Sequence, residues 1–226
     1  MALLLNVVTW IWGDKYGEHY VRRLRDGVAR NLKQPHRFIV VSDRLDRPLI
    51  AKQKIYWDRD EELRKIPGCL CRLRMFDRDW QYWAGFEEGD RIVSIDLDAV
   101  ITGPLDDLFD RDEFTILSNV NTTNPCPYNG SVFMWRAGTH ADVWTDFSLD
   151  AVKRVPFHAF PDDQGWFWHK IPKAREFGPA TGVYGFKKKG WPSGDALPAN
   201  AKIVAFPGWR DPEKFVHLDW IKEHWC

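Results

Sequence analysis

The chain reads as an α/β protein with a mostly parallel central sheet flanked by helices, and three observations point there. Its strand-like segments (LLLNVVTW, RFIVVS and RIVSI) are near-continuous apolar runs rather than alternating ones, the mark of strands buried on both faces. The first two are separated by a stretch with helical apolar spacing, which makes a βαβ unit with a right-handed crossover. The 226 residues suffice for one domain of ordinary size with a substantial core.

The elements follow in order. Residues 3–10 form the first buried strand, and the polar turn Gly13-Asp14-Lys15-Tyr16-Gly17 follows it. Across 18–32, Tyr20, Val21, Leu24, Val28 and Leu32 share one helical face. Pro35 punctuates, and 37–42 is the second strand. A third strand is expected over 50–56. Residues 69–83 have helical character, with Leu70, Leu73 and Phe76 recurring on one side and Arg72 and Arg74 between them. The run at 92–95 is a further strand, and a short helix is expected at 105–109. Then come an apolar run at 114–117, a polar loop at 118–128, a strand at 129–135 opening on Asn129 and Gly130, and a helix over 140–151. The remainder, including 161–169, 184–191 and 201–212, reads as loop-rich before a short amphipathic helix at 215–225. A single domain spanning 1–226 is expected, for no repeat or linker interrupts the chain.

Composition narrows the function. Lys plus Arg and Asp plus Glu number 32 each, so no basic excess argues for a nucleic-acid partner. The 13 tryptophans stand out; flat aromatic faces suit sugar rings and nucleobases as well as cores. The four cysteines do not match a zinc-site spacing, and a chain of this size needs no disulfide staples, so reduced thiols in a cytoplasmic protein are expected. The apolar start lacks a basic n-region and a cleavage site and is too short to span a bilayer. No transmembrane segment is expected, while peripheral contact with a membrane stays open. The sequons at Asn121 and Asn129 would matter only in a secreted protein.

The chemistry concentrates at the end of the 92–95 strand, in Asp96-Leu97-Asp98. In an extended chain residues two apart face the same way, so both carboxylates leave the strand end together with Leu97 turned inward. Two like charges so close favour a cation between them, and a hard divalent metal suits oxygen ligands; taken alone, the pair also reads as a solvated strand end followed by a loop. Tyr16 sits at the carboxyl edge of the sheet, where ligands of such folds bind, and could stack on a base. Arg72 and Arg74 are suited to phosphate oxygens, and the run at 187–189 could meet a diphosphate. Asp162-Asp163-Gln164 could hold a substrate, or form a turn or helix cap. Gly130 would let the backbone approach a ligand closely.

The central block LRMFDRDWQYWAGFEEGDRIVSIDLDAVITGPLDDLFD resembles the centre of GT-A-fold glycosyltransferases, near glycosyltransferase family 8 and the bacterial polysaccharide-associated proteins similar to it. NGSVFMWRAG, Asp163-Gln164, an F-x-G-x-x-x-P segment and a terminal W-I-x-E-H-W follow in the family's order. The resemblance implies a GT-A-like, Rossmann-like fold and a metal-dependent glycosyltransferase of hexosyltransferase type. It would move a sugar from a nucleotide sugar, a UDP-sugar first, to a hydroxyl on a glycan or other acceptor. By the same resemblance Tyr16 would stack on the base, Arg72 would approach the donor phosphates, and Asp96 and Asp98 would bind a Mn2+- or Mg2+-linked diphosphate. Asn129 and Gly130 would line the sugar site, with Thr9, Trp10, Leu97 and Gly208 completing the donor-binding set. Asp163 and Gln164 would lie beside the transferred sugar and imply retention of configuration.

One departure stands out. Pro207 occupies the place where the family usually carries a histidine metal ligand. The metal is therefore expected on the two aspartates, phosphates and waters, with His217 as a replacement ligand, or weak metal binding, as the alternatives. A sugar nucleotidyltransferase would open with a Gly-rich, Arg-containing loop that 11–17 does not resemble. The two carboxylates of a glycoside hydrolase need not be adjacent in sequence. A non-catalytic nucleotide-sugar-binding or scaffold protein of the same fold is the alternative from another class.

Overall fold

The computed structural model describes residues 4–47, 53–120, 125–155 and 162–226. A seven-stranded sheet runs in the order β3-β2-β1-β4-β7-β6-β8, formed by β1 (Leu5–Ile11), β2 (His36–Ser42), β3 (Gln53–Tyr56), β4 (Arg91–Ile95), β6 (Thr115–Ser118), β7 (Tyr128–Arg136) and β8 (Arg175–Phe177). Its pairings are parallel except where β7 meets β4 and β6. A second sheet, β5-β10-β9, joins β5 (Ala99–Ile101), β10 (Ile203–Ala205) and β9 (Val183–Gly185). The expected α/β architecture with a mostly parallel sheet is what the chain adopts.

Both faces of the large sheet are covered, which is why its strands read as unbroken apolar runs. From β1, Leu5, Val7 and Ile11 enter one core, while Val8 and Trp10 enter the other. Helix α1 (Glu18–Asn31) covers the first face with Tyr20, Val21, Leu24 and Val28. Gly27 lets it lie close on β5, since a Cβ there would stand 3.1 Å from Cβ of Ile101. The helix ends at Asn31 because Leu32 turns extended. On the second face, residues 70–76 wind as a 3-10 helix rather than an α-helix. Leu70, Leu73 and Phe76 are all fully buried there, and a strict three-residue spacing stacks in register only at three residues per turn. The segment leads into α3 (Arg78–Trp83), capped by the Asp77 carboxylate on the Asp79 amide.

Several expectations are corrected. Residues 105–109 make one hydrogen-bonded turn, with the Leu108 and Phe109 amides both donating to the Leu105 carbonyl, and not a helix. The helix expected over 140–151 is two short ones, α4 (Asp142–Thr145) and α5 (Leu149–Val152), because the Ser148 hydroxyl caps a new start on the Ala151 amide. The segment from 162 onward is no loop: Asp162 caps α6 (Asp163–Lys170) through the Gly165 amide at 2.8 Å. Strands β5, β8 and β9, three residues each, are too short to leave a period in the sequence. Near the end, α7 (Asp219–His224) is shorter than the 215–225 expectation; α2 (Glu61–Lys65) precedes the 3-10 segment. Residues 50–52, Asn121 and 157–161 lie outside the described residues.

Candidate active site

The order of the large sheet reverses at β1, whose neighbours are β2 on one side and β4 on the other. Ligands of open α/β sheets bind beyond the carboxyl ends of the strands at such a point. A cleft of about 410 Å³ opens there. Trp10, Tyr16, Arg72, Asp96, Leu97, Asp98, Asn129, Gly130, Asp163, Gln164 and Gly208 all line it. Thr9 does not: it is fully buried, with its hydroxyl unpartnered.

The aspartate pair sits on a turn, not on a continued strand. The Asp96 amide donates to the Ser131 carbonyl at 2.9 Å, carrying the β4–β7 pairing one residue further, and the Ala99 amide closes the turn on the Asp96 carbonyl at 3.1 Å. Both carboxylates still reach the cleft and Leu97 is buried, so the orientation holds for a different backbone reason. The Tyr16 hydroxyl donates to Asp98 Oδ2 at 2.6 Å. Burial, then Asp98, push the Tyr16 phenol far up, so it stays protonated as a donor. Burial and then the charge of Asp96 push the Asp98 carboxyl up to about 7.

Arg72 is the centrepiece of the opposite wall. Only 3% exposed, it donates through Nε and Nη2 to Asp163 Oδ2 at 3.0 and 2.5 Å, and through Nη1 to Asp96 Oδ1. Burial alone would favour loss of its proton, but the charges of Asp163 and Asp96 outweigh it and hold the guanidinium cationic. Asp163 is placed by α6 and by its own amide, which donates to the Gly68 carbonyl at 2.8 Å. Burial raises its carboxyl while Arg72 pulls it back. Gln164 donates to Asp162 Oδ2 at 2.8 Å and accepts from Asn129 at 3.4 Å.

Gly130 serves this clamp. A Cβ on it would stand 2.9 Å from Arg72 Nη2 and 3.1 Å from Asp163 Oδ1, so the close approach read for a ligand is made here to an internal ion pair. Gly130→Ala should cost roughly 1–3 kcal/mol by overpacking, measured by denaturant unfolding. An unchanged midpoint would mean the clamp shifts freely.

Other expected groups lie elsewhere. Arg74, two residues from Arg72, leaves the 3-10 segment on another side, held by Asp60 and Asp77 and stacked 3.7 Å over Trp144. Lys187 pairs with Asp195. Neither that run nor His217 lines the cleft. Trp12, Lys15, Gly68, Cys69 and Ser131 line it without having been singled out, and Asp162 of the expected Asp162-Asp163-Gln164 group lines it too. Trp12 and Lys15 were within reach, since they flank Tyr16 in the turn after β1; Cys69 owes its place to a left-handed backbone (φ 57°) that no pattern announces.

The charge of the cleft bears on a metal. Four carboxylates, from Asp96, Asp98, Asp162 and Asp163, face two cations, Lys15 and Arg72. Among the described residues no three or more His, Cys, Asp or Glu side chains are grouped to hold a metal by themselves, and Pro207 lines the cleft with no side-chain donor to offer. Asp96 and Asp98 fit a divalent ion as a pair of hard oxygen donors, each with a second oxygen beyond its protein partner.

A pH dependence follows from Asp98. Its folded pKa lies above the ordinary value of 3.8, so between pH ~4 and ~7 the folded state holds a proton the unfolded state has released. Stability then falls as pH rises through that window, by at most about 1.4 kcal/mol per pH unit per proton. Tm of the metal-free protein should drop more steeply from pH 5 to pH 8 than that of Asp98→Asn; equal slopes would remove Asp98 as the cause.

No protein-family model and no curated protein sequence matches the chain. Among solved structures, an active-site glutamine-to-glutamate mutant of LgtC is similar, with a TM-score of 0.64 and 11% identity, over 92% of this chain and 89% of that one. The fold is shared with LgtC, a family 8 glycosyltransferase. The architecture is thus GT-A-like. All four cysteines are free, and no helix among the described residues is long and apolar enough to cross a membrane.

Proposed function

We propose that the protein is a metal-dependent glycosyltransferase, moving a sugar from a nucleotide sugar to a hydroxyl acceptor on a glycan or other molecule. The observation that carries this is the convergence of Asp96, Asp98, Arg72, Asp163 and Gln164 on one cleft at the reversal of strand order. An anionic diphosphate does not enter a cleft with four carboxylates and two cations unless a further cation accompanies it. Asp96 and Asp98 would hold Mn2+ or Mg2+, which when bound offsets the charge of the departing diphosphate.

The chain's own groups divide the remaining work. Tyr16 fixes Asp98 through its hydroxyl, and Trp10, Trp12 and the Tyr16 ring offer aromatic wall for a base, uracil by the resemblance. Lys15 supplies positive charge at the same edge. Asp163 and Gln164 present oxygens and an amide where the sugar would lie, and in LgtC a glutamine is an active-site residue. By the resemblance, Gln164 is read beside the transferred sugar, with retention. A cytoplasmic location, with peripheral membrane contact left open, and a single domain belong to the same proposal.

Thermal shift with MnCl2, UDP and both together tests it. Either alone should shift Tm little; the pair at ~100 times its dissociation constant adds about 2.7 kcal/mol. No shift with the pair overturns the reading. Pro207 at the ligand position favours a second reading, a binding protein of the same fold without turnover. Release of UDP from a UDP-sugar separates the two.

A further inference from the structure

Two adjoining grooves of about 470 and 710 Å³ share Arg74, Asp77 and Asp79, and Arg74 lies on the same 3-10 segment as Arg72 of the cleft. We infer that they form a subsite for an oligosaccharide without acidic groups, the part of the acceptor chain remote from the transferred sugar. The inference rests on the glycosyltransferase reading for the word acceptor, but its own support is separate.

Aromatic rings dominate the smaller groove. Trp83 and Tyr56 line it while 57% and 38% exposed, unlike most large apolar side chains of the molecule. Trp57 packs between them and the interior, 5.4 Å from Trp83 and 6.2 Å from Trp80 by ring centroids. Trp80 also lines the groove; it is 2% exposed, and its indole N–H has no hydrogen-bond partner. Trp80 in turn stacks on Trp10, at 6.0 Å and 21°, and Trp10 lines the catalytic cleft. The aromatic ladder therefore runs from the cleft to the surface groove without a break.

Polar groups are supplied on rigid supports. Asp77 caps α3 and, with Asp60, holds Arg74. Asp58 accepts from the Tyr56 hydroxyl at 3.2 Å. Along both grooves five carboxylates (Asp58, Asp60, Glu62, Asp77 and Asp79) face only Arg59 and Arg74. That balance disfavours phosphorylated chains, uronic-acid polymers and nucleic acid. Flat faces for the C–H side of a pyranose, flanked by planar acceptors for its hydroxyls, match a neutral glycan.

The test uses tryptophan fluorescence of the full chain titrated with maltohexaose, cellohexaose, laminarihexaose and chitohexaose, with polygalacturonate and oligolysine as charged probes. At least one neutral hexasaccharide should give a saturable change, weakened tenfold or more by Trp83→Ala and restored towards wild type by Trp83→Phe. The same Trp83→Ala protein should keep the full Mn2+–UDP thermal shift. No change with any neutral probe, or a change indifferent to Trp83→Ala, overturns the subsite, as does binding of oligolysine alone. Loss of the Mn2+–UDP shift in the wild type would instead sink the donor reading, so the two failures are distinct.

Discussion

Arg72→Met should be the most damaging single substitution in the cleft. It removes a side chain that touches both Asp96 and Asp163, at a position only 3% exposed, and leaves both carboxylates without the guanidinium that neutralised them. Breaking a buried ion pair from one side costs about 3–5 kcal/mol. For a chain of this size Tm should fall by roughly 10 °C, and turnover should be lost with it. Arg72→Lys retains the charge but not the fork that reaches both partners, so it should recover part of the stability and little of the activity. Calorimetry and UDP release on both variants check this; an Arg72→Met protein of native Tm would show that the clamp carries no energy.

Asp98→Asn separates stability from function in the opposite sense. The Asp98 carboxyl is raised by burial and by Asp96, so at pH 8 the metal-free protein holds a carboxylate where a neutral group is preferred. Asparagine removes that charge while its amide oxygen can still accept from Tyr16. The metal-free variant should therefore melt higher than wild type at pH 8 and about equally at pH 5. Sugar transfer should fall by on the order of 10²–10³, the usual loss when an electrostatic stabiliser is removed, and the Mn2+–UDP thermal shift should shrink with it. Full transfer by this variant would take Asp98, and the metal with it, out of the mechanism.

These two residues also mark how far the sequence could be read. Asp96 and Asp98 were legible because a carboxylate pair at the end of a buried strand is a local pattern, even though a turn rather than an extended strand aims them. Asp163 and Gln164 could be read from the residues only as a polar group able to hold a substrate, their place beside a sugar came from resemblance, and residues 161–169 looked like loop. Eight residues rich in bulky aromatics show little helical periodicity, so the helix-cap reading open for Asp162 could not be chosen over a turn without the helix itself. Trp12, Lys15 and Cys69 were missed because a lining residue needs no periodicity, only a backbone that passes the cleft.

By itself the sequence determined the alternating strand and helix plan, with burial on both sheet faces, because such burial is recorded residue by residue in runs and periods along the chain. It also placed the aspartate pair at a strand end. What the tertiary structure alone decided are the bonds that turn those residues into a site. Arg72 meets Asp96 from 24 residues away and Asp163 from 91, and Tyr16 meets Asp98 across 82. Partners that far apart leave no local signature, since each side chain reads alone as an ordinary polar residue. Their pairing follows only when the order of the strands brings the ends of β1 and β4 and the start of α6 to one edge.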